Sequence, residues 1–548
     1  MPRERGSQAG PTTGGVARPC WKWRGTAWLA IAVLASAGAM AQRAPRPDLP
    51  RDSEAIGSAW AKSISPMQCA GEAPVEIVLR VDPNDPRTSF EGFGTALAWF
   101  ANVTGGYPDP VRNRLADMLY GRDGLGWTIA RYNIGGGNAA GTPPYLRAGA
   151  AVPGFWRLPS GRSAGARWRA DDPLLWDWSA DAGQRWWLDA IRERVPARSR
   201  IFEAFSNSPP WFMTVSGRVS GAREPRQDNL RAGQETRFAQ YLAMVVEQLQ
   251  QRHAIAFRTL SPVNEPNTPY WFAKNTQEGS HWSEPAQERM VRAADQALRE
   301  RGLAIRIAAM DETNSLTFLR NWASYQPATR AVVAQLNVHS YDIIGQTAVR
   351  DVAATSGLRL WMSEADLSPP NVAEDFDDMA SALTLAERIT QDLKRLEPSA
   401  WVFWQAIENL SARKPGEGSN WGLIKMDLAA RPSADPAIHV TRKYWAMANF
   451  SRYLRPGFRL LRIDDADTVA ALSPDRRELV LVHVNAGLSA RRLIVPADSL
   501  PGGSWSARSV VTSHTHRSET LCRSAATHGP QSAIAPRQSV TTVVLTRD

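Results

Sequence analysis

Two glutamates, Glu265 and Glu364, close two strand-like runs, residues 258–265 and 358–364. A pair of carboxylates drawn from distant parts of a chain to one gap is the equipment for cutting a glycosidic bond. One protonates the departing oxygen while the other attacks the anomeric carbon, at a separation of about 5 Å when configuration is retained. Glu265 suits the acid/base role, because the charge of Glu364 nearby favours a proton on it near neutral pH and that repulsion vanishes once the nucleophile is consumed.

The pair has to be positioned, and the pattern around it supplies the means. Short apolar runs at residues 90–99, 127–134, 200–206, 258–263, 305–310, 335–338, 358–362 and 400–404 alternate with helical stretches. Helices are expected from Asp109-Pro110 to Gly121, over 181–195 and 233–251, from a Ser283 cap to Gly302, and over 375–396 and 441–454. The fifth and sixth linking helices are poorly marked. Eight strands alternating with helices predict a (β/α)8 TIM barrel over residues 90–455, with an open doubly wound sheet as the competing architecture. Barrels collect reactive groups at the carboxyl ends of their strands. Here those ends carry Arg131 and Asn133, Asn207, Asn264 and Glu265, Asp311 and Glu312, His339 and Tyr341, Glu364, and Gln405 and Glu408. Strands four and seven would face each other across the mouth.

The segments ARYNIGGG (130–137), EAFSNSPPWFMT (203–214), PVNEP (262–266) and WMSE (361–364) resemble glycoside hydrolase family 30. GTALAW (94–99) and QEG (277–279) narrow the likeness to its endo-β-1,6-galactanases. The resemblance implies a retaining mechanism, Glu265 as acid/base and Glu364 as nucleophile, with no cofactor and no metal. It further implies that Asn264 contacts the sugar 2-hydroxyl, that Tyr341 orients Glu364, and that Arg131, Asn207, Trp211 and Trp404 line the sugar site. Ala365-Asp366, after the nucleophile, departs from the family pattern and bears on subsite shape. The expected substrate is the β-1,6-galactan side chain of arabinogalactan. The alternatives are another family 30 specificity, namely β-1,6-glucanase, glucosylceramidase or xylanase, and a non-catalytic sugar-binding protein, which has no need of both glutamates.

Other features have plainer readings. Most Trp residues, including Trp186 and Trp187 on an expected helix, are packing; Trp211, Trp271 and Trp282 fall in strand-end loops and are candidate sugar platforms. Gly135, Gly137 and Ala140 match a dinucleotide fingerprint, but Thr142-Pro143-Pro144 follows where a helix is required, so the glycines form a tight loop. His514 and His516 lack a third ligand and read as surface histidines.

Arg3, Arg5, Arg18, Lys22 and Arg24 precede an apolar run over about residues 26–40 that closes on Ala39-Met40-Ala41. This is the order of a secretory signal, with cleavage expected after Ala41, and a secreted or periplasmic location follows. Without those residues 59 Lys and Arg face 53 Asp and Glu. The basic groups are dispersed, so a nucleic-acid partner is not expected, nor a membrane one after cleavage. The partner is a polysaccharide or oligosaccharide, and a monomer is expected. Residues 42–58 read as a Pro- and Arg-rich linker. Beyond Pro456 the runs 468–472, 478–485, 491–495, 504–511 and 539–545 alternate apolar and polar residues, which predicts a flanking antiparallel β-sandwich over 456–548, to which residues 59–89 contribute a strand at 75–81. Cys69 and Cys522 either bridge to each other in that module or lie apart as buried thiols.

Overall fold

The computed structural model describes residues 67–69, 72–159, 164–369, 375–410 and 421–548. The expected leader 1–41 and linker 42–58 lie outside the described residues. Eight parallel strands close a barrel: β1 (Gly92–Ala96), β2 (Ile129–Asn133), β3 (Ile201–Phe205), β4 (Phe257–Ser261), β5 (Arg306–Glu312), β6 (Val333–His339), β7 (Arg359–Ala365) and β8 (Ala400–Gln405), paired around the ring in chain order. Such strands are covered on both faces, which is why they read as unbroken apolar runs; all six residues of β8 are buried.

The return helices are α1 (Asp109–Tyr120), α2 (Ala182–Arg194), α3 (Glu235–His253), α4 (Glu284–Glu300), α5 (Ser315–Ser324), α6 (Gln346–Ser356), α7 (Met379–Gln391) and α8 (Arg442–Ser451). The two that the sequence marks poorly have local causes. α5 is capped by Asn314, whose side chain accepts from the Thr317 amide at 3.0 Å, while α6 is bracketed by Gly345 and Gly357 at φ +90° and +67°. Ser283 holds the expected N-cap position of α4, but its hydroxyl donates to Asp228 at 2.6 Å rather than accepting from the helix, tying the start of α4 to another loop. β4 also stops at Ser261, short of the expected run to Val263, because Pro262 has no N–H to continue the ladder.

A second module packs against the barrel. Its large sheet runs in the order Met67–Gln68, Arg517–Arg523, Trp505–Thr512, Ser539–Arg547, Glu478–Asn485, Thr468–Leu472, Arg459–Ile463, Val81–Ser89, antiparallel except for the first pair. A smaller sheet of Val75–Val78, Arg491–Val495 and Gln531–Ala535 faces it. The expected sandwich is present; the strands that apolar alternation missed include Arg459–Ile463, Arg517–Arg523 and Gln531–Ala535. Along Glu478–Asn485, Leu479 and Leu481 enter the core between the sheets while Val480 and Val482 join the barrel's core. A strand covered on both faces shows a continuous apolar run rather than alternation. Asn449 of α8 fixes the contact, donating to the Val510 carbonyl and to Thr542, each at 2.9 Å, and accepting from the Thr512 hydroxyl at 2.6 Å.

Cys69 and Cys522 are bridged, with their Cα atoms 4.9 Å apart. The bond ties the strand Met67–Gln68 to the sandwich edge next to Cys522. Protein spanning residues 42–548 is therefore expected to show no free thiol when denatured without reductant, and reduction is expected to lower Tm by a few degrees. One titratable thiol or more would contradict the bridge.

Several carboxyls outside the pair are buried in the barrel and its loops. Burial pushes Asp181 and Glu312 up to about 7, Glu278 to about 8 and Asp392 to about 6. Each holds its proton more tightly folded than unfolded, so its contribution is complete below about pH 4 and is lost as the pH climbs through these values. Carboxylates held low against burial, such as Glu91 beside Arg258 and Asp228 beside His281, give way only below that window. Tm measured by scanning fluorimetry is thus expected to fall by several degrees from pH 5.5 to 8.5; a rise over that range would contradict the assignment.

Candidate active site

The barrel interior beneath the mouth is polar, and one guanidinium organises it. Arg131, inward-facing on β2, is fully buried. It donates to Glu203 at 2.8 Å, to Asp311 at 2.7 Å and to the Ser363 carbonyl at 3.1 Å, and stands 3.7 Å from Glu364. Glu203 also accepts from Thr259 at 2.6 Å and from Gln335 and Asn337 at 2.8 Å each. Asp311 also accepts from Ser261, and from Ser363 at 2.6 Å. Burial would raise Asp311, but Arg131 and His339 overcome it and hold that carboxyl well below its ordinary range.

Glu265 and Glu364 sit on top of this layer. β7 runs through Glu364, so the strand itself fixes that carboxylate. Glu265 lies beyond the end of β4 with φ +45°, a left-handed conformation that costs a non-glycine residue about 1 kcal/mol or more. Its amide donates to the carbonyl of Asp311, itself at φ +55°, at 2.8 Å. A carboxylate oxygen of Glu265, one of Glu364 and a ring nitrogen of His339 lie within 4.8 Å of one another. Sequence reasoning counted His339 only as a strand-end polar residue; it is the bridge. Its Nδ1 is 3.2 Å from Glu265 and 3.6 Å from Glu364, and its Nε2 is 3.4 Å from Asp311. Burial would lower this imidazole, but Glu364, Asp311 and Glu265 raise it to about 10, so it is a cation at neutral pH. Burial pushes Glu364 up to about 7, and Glu265 acts in the same direction, against the pull of His339 and Arg131.

Among the other expected residues, Tyr341 donates to Glu364 at 3.0 Å. Asn264 and Asn207 are buried at the ends of their strands, each with a carbonyl oxygen that has no hydrogen-bond partner among the described residues. Trp404 meets Trp99 edge-on at 5.0 Å, and Trp211, partly open, packs on Trp156 and Phe212. Arg131 is the correction: it has no open surface and lies under the pair rather than lining a sugar site. Trp271 and Trp282 are corrected as well. Trp271 is buried, donates to the Glu265 carbonyl at 2.9 Å and lies so close to Gly279 that a Cβ there would come within 2.0 Å of its ring. Trp282 stacks on Phe238 in the surrounding core. Tyr270, whose hydroxyl donates to Glu265, carried no signal beyond its place in the same loop. Asp366, two residues past Glu364, is buried against Lys443 and accepts from the Gly422 amide at 2.7 Å, so the departure from the expected pattern serves an ion pair behind the site. The glycines at 135–137 form a loop held by Tyr241, which donates to the Gly135 carbonyl at 2.8 Å.

Comparisons with known proteins agree with this architecture. Residues 76–357 match the profile of O-glycosyl hydrolase family 30. An endo-β-1,6-galactanase of Hypocrea rufa is 30% identical over 437 residues, spanning 76% of this chain and 82% of that protein. An exo-β-1,6-galactobiohydrolase of Bifidobacterium longum subsp. longum is 27% identical over 519 residues, 74% of this chain but 34% of that protein. A conserved exported protein from Bacteroides fragilis superposes with a TM-score of 0.71 at 20% identity, covering 85% of this chain and all of that one. A closed eight-stranded barrel with a flanking β-sandwich, two carboxylates meeting at its mouth, and a family profile over half the chain place this protein in O-glycosyl hydrolase family 30.

Proposed function

We propose that the protein is a retaining endo-β-1,6-galactanase acting on the side chains of arabinogalactan, with Glu364 as nucleophile and Glu265 as acid/base. The observation that carries the chemistry is the gap between the pair. A carboxylate oxygen of each glutamate within 4.8 Å of the other supports the closer of the two glycosidase spacings, about 5 Å, at which one carboxylate attacks carbon directly, over the roughly 6.5–9.5 Å that an inverting enzyme needs for its water. The substrate rests on the likeness to the endo-β-1,6-galactanase, which spans most of both chains.

In this reading Tyr341 holds Oε1 of Glu364 toward the anomeric carbon, while the charges of Arg131 and His339 favour the carboxylate over the acid. Glu265 protonates the departing oxygen as the glycosyl–Glu364 ester forms. Once that ester has consumed the negative charge, Glu265 draws a proton from water, which breaks the ester and releases the sugar with its configuration retained. Asn264 would meet the 2-hydroxyl, and Asn207, Trp211 and Trp404 would shape the sugar site. The working enzyme would be residues 42–548, exported by the leader 1–41, joined to the barrel through the linker, and monomeric.

Residues 42–548 are therefore expected to release galacto-oligomers from β-1,6-galactan faster than they degrade β-1,6-glucan or xylan, with the β-anomer first in the proton NMR spectrum. Faster turnover of glucan or xylan would reject the substrate and spare the chemistry; an α-anomer first would reject retention. Glu364→Gln is expected to lose activity on activated aryl glycosides by about a thousandfold or more, whereas Glu265→Gln still forms the intermediate on them. Identical behaviour of the two variants would contradict the assigned roles.

A further inference from the structure

The two oxygens of Glu265 have different surroundings. Oε1 faces the buried imidazolium of His339 at 3.2 Å, on the interior side that also holds Glu364. Oε2 accepts a hydrogen bond from the hydroxyl of Tyr270, five residues further along the chain. Tyr270 stands on the open side, 39% exposed, with its ring edge-on to Trp271 at 4.6 Å. Trp271 is the anchor of this loop. Its indole donates to the Glu265 carbonyl, and its backbone and ring leave no space for a Cβ on Gly221 or Gly279, so it cannot shift without moving its neighbours. The Tyr270 carbonyl accepts from Asn275 at 3.1 Å, which fixes the same turn from the other side.

A glycosidic oxygen can take a proton from Glu265 only at an oxygen it can reach. Oε1 is engaged by the buried His339 ring at 3.2 Å, while on Oε2, on the side of the partly exposed Tyr270, the hydroxyl holds a hydrogen-bonding position that a departing oxygen needs. We propose that Tyr270 is a positioning residue for the acid/base: its hydroxyl aims Oε2 into the cleft, gives way to the glycosidic oxygen when substrate binds, and its half-open ring walls the leaving-group side. The inference rests on the reading of Glu265 as acid/base.

The test compares wild type, Tyr270→Phe and Tyr270→Ala across pH on two substrates. One is a β-1,6-galacto-oligosaccharide; the other is a 4-nitrophenyl glycoside, whose departing group needs no proton. Tyr270→Phe is expected to keep KM within about twofold and to lower kcat for the oligosaccharide by about fivefold or more, since the hydrogen bond that aims Oε2 is gone. The nitrophenyl substrate should show no such loss. Tyr270→Ala is expected to raise the oligosaccharide KM by about tenfold as well, because the ring is lost, while KM for the nitrophenyl substrate changes less. A Tyr270→Phe profile that superimposes on wild type, or equal losses on both substrates, would overturn the proposal. Glu265→Gln serves as the reference: if it is inactive on the oligosaccharide while Tyr270→Phe matches wild type, only the role of Tyr270 falls. Full activity of Glu265→Gln would remove the acid/base reading and this inference with it.

Discussion

Everything at the barrel mouth depends on a guanidinium that never meets water. Arg131 is fully buried, and an unpaired charge there would cost several kcal/mol, so the interior must supply anions. Glu203 and Asp311 do so with short hydrogen bonds, and Glu364 adds a third negative group within 4 Å. The imidazolium of His339 is the second buried cation, shared among Asp311, Glu265 and Glu364. Two cations face four carboxylates in a dry interior, so the charge there is not fully balanced, and burial together with Glu265 raises Glu364 against the pull of His339 and Arg131. Removing one member of such a network leaves its partners charged and unpaired, at a cost of roughly 3–5 kcal/mol.

This account turns a polar barrel interior into a functional requirement. A barrel core is ordinarily filled by branched apolar side chains. Here Thr259, Ser261, Gln335, Asn337 and Ser363 line the interior instead, and each donates to Glu203 or Asp311. The lining is rigid because its donors and acceptors are matched, and it hands that rigidity up to Glu364 through Arg131 and β7. Glu265, by contrast, is held by backbone. Its left-handed residue, its amide bond to Asp311 and the Trp271 indole on its carbonyl fix where the side chain starts, while His339 and Tyr270 decide where it ends.

The sequence makes the barrel legible for a physical reason: strands buried on both faces leave unbroken apolar runs, and a chemistry-bearing residue follows seven of the eight at the mouth. All eight runs lie within a few residues of an observed strand, and both glutamates meet. The signals that failed were those decided by contacts across the fold. Glu478–Asn485 is continuous rather than alternating because the barrel covers its second face, and Arg517–Arg523, flanked by Met67–Gln68 and Trp505–Thr512, is too polar to stand out. Trp271 and Trp282 were in the right loops but turn inward, an orientation fixed by the glycines and the phenylalanine that receive them. Arg131 was recognised as a site residue, yet whether it meets sugar or carboxylate depends on Glu203 and Asp311, which come from two other strands. No local pattern carries that information.

The central claim is that Glu364 attacks the sugar. Incubation with a 2-deoxy-2-fluoro derivative of a β-1,6-galactobiosyl fluoride, followed by peptic digestion and mass spectrometry, tests it directly, since the fluorine slows breakdown of a glycosyl ester. The account predicts an adduct of one fluorinated disaccharide on the peptide that contains Glu364. A label on Glu265 or on any other residue, or turnover of the natural substrate with no label at all, would contradict it.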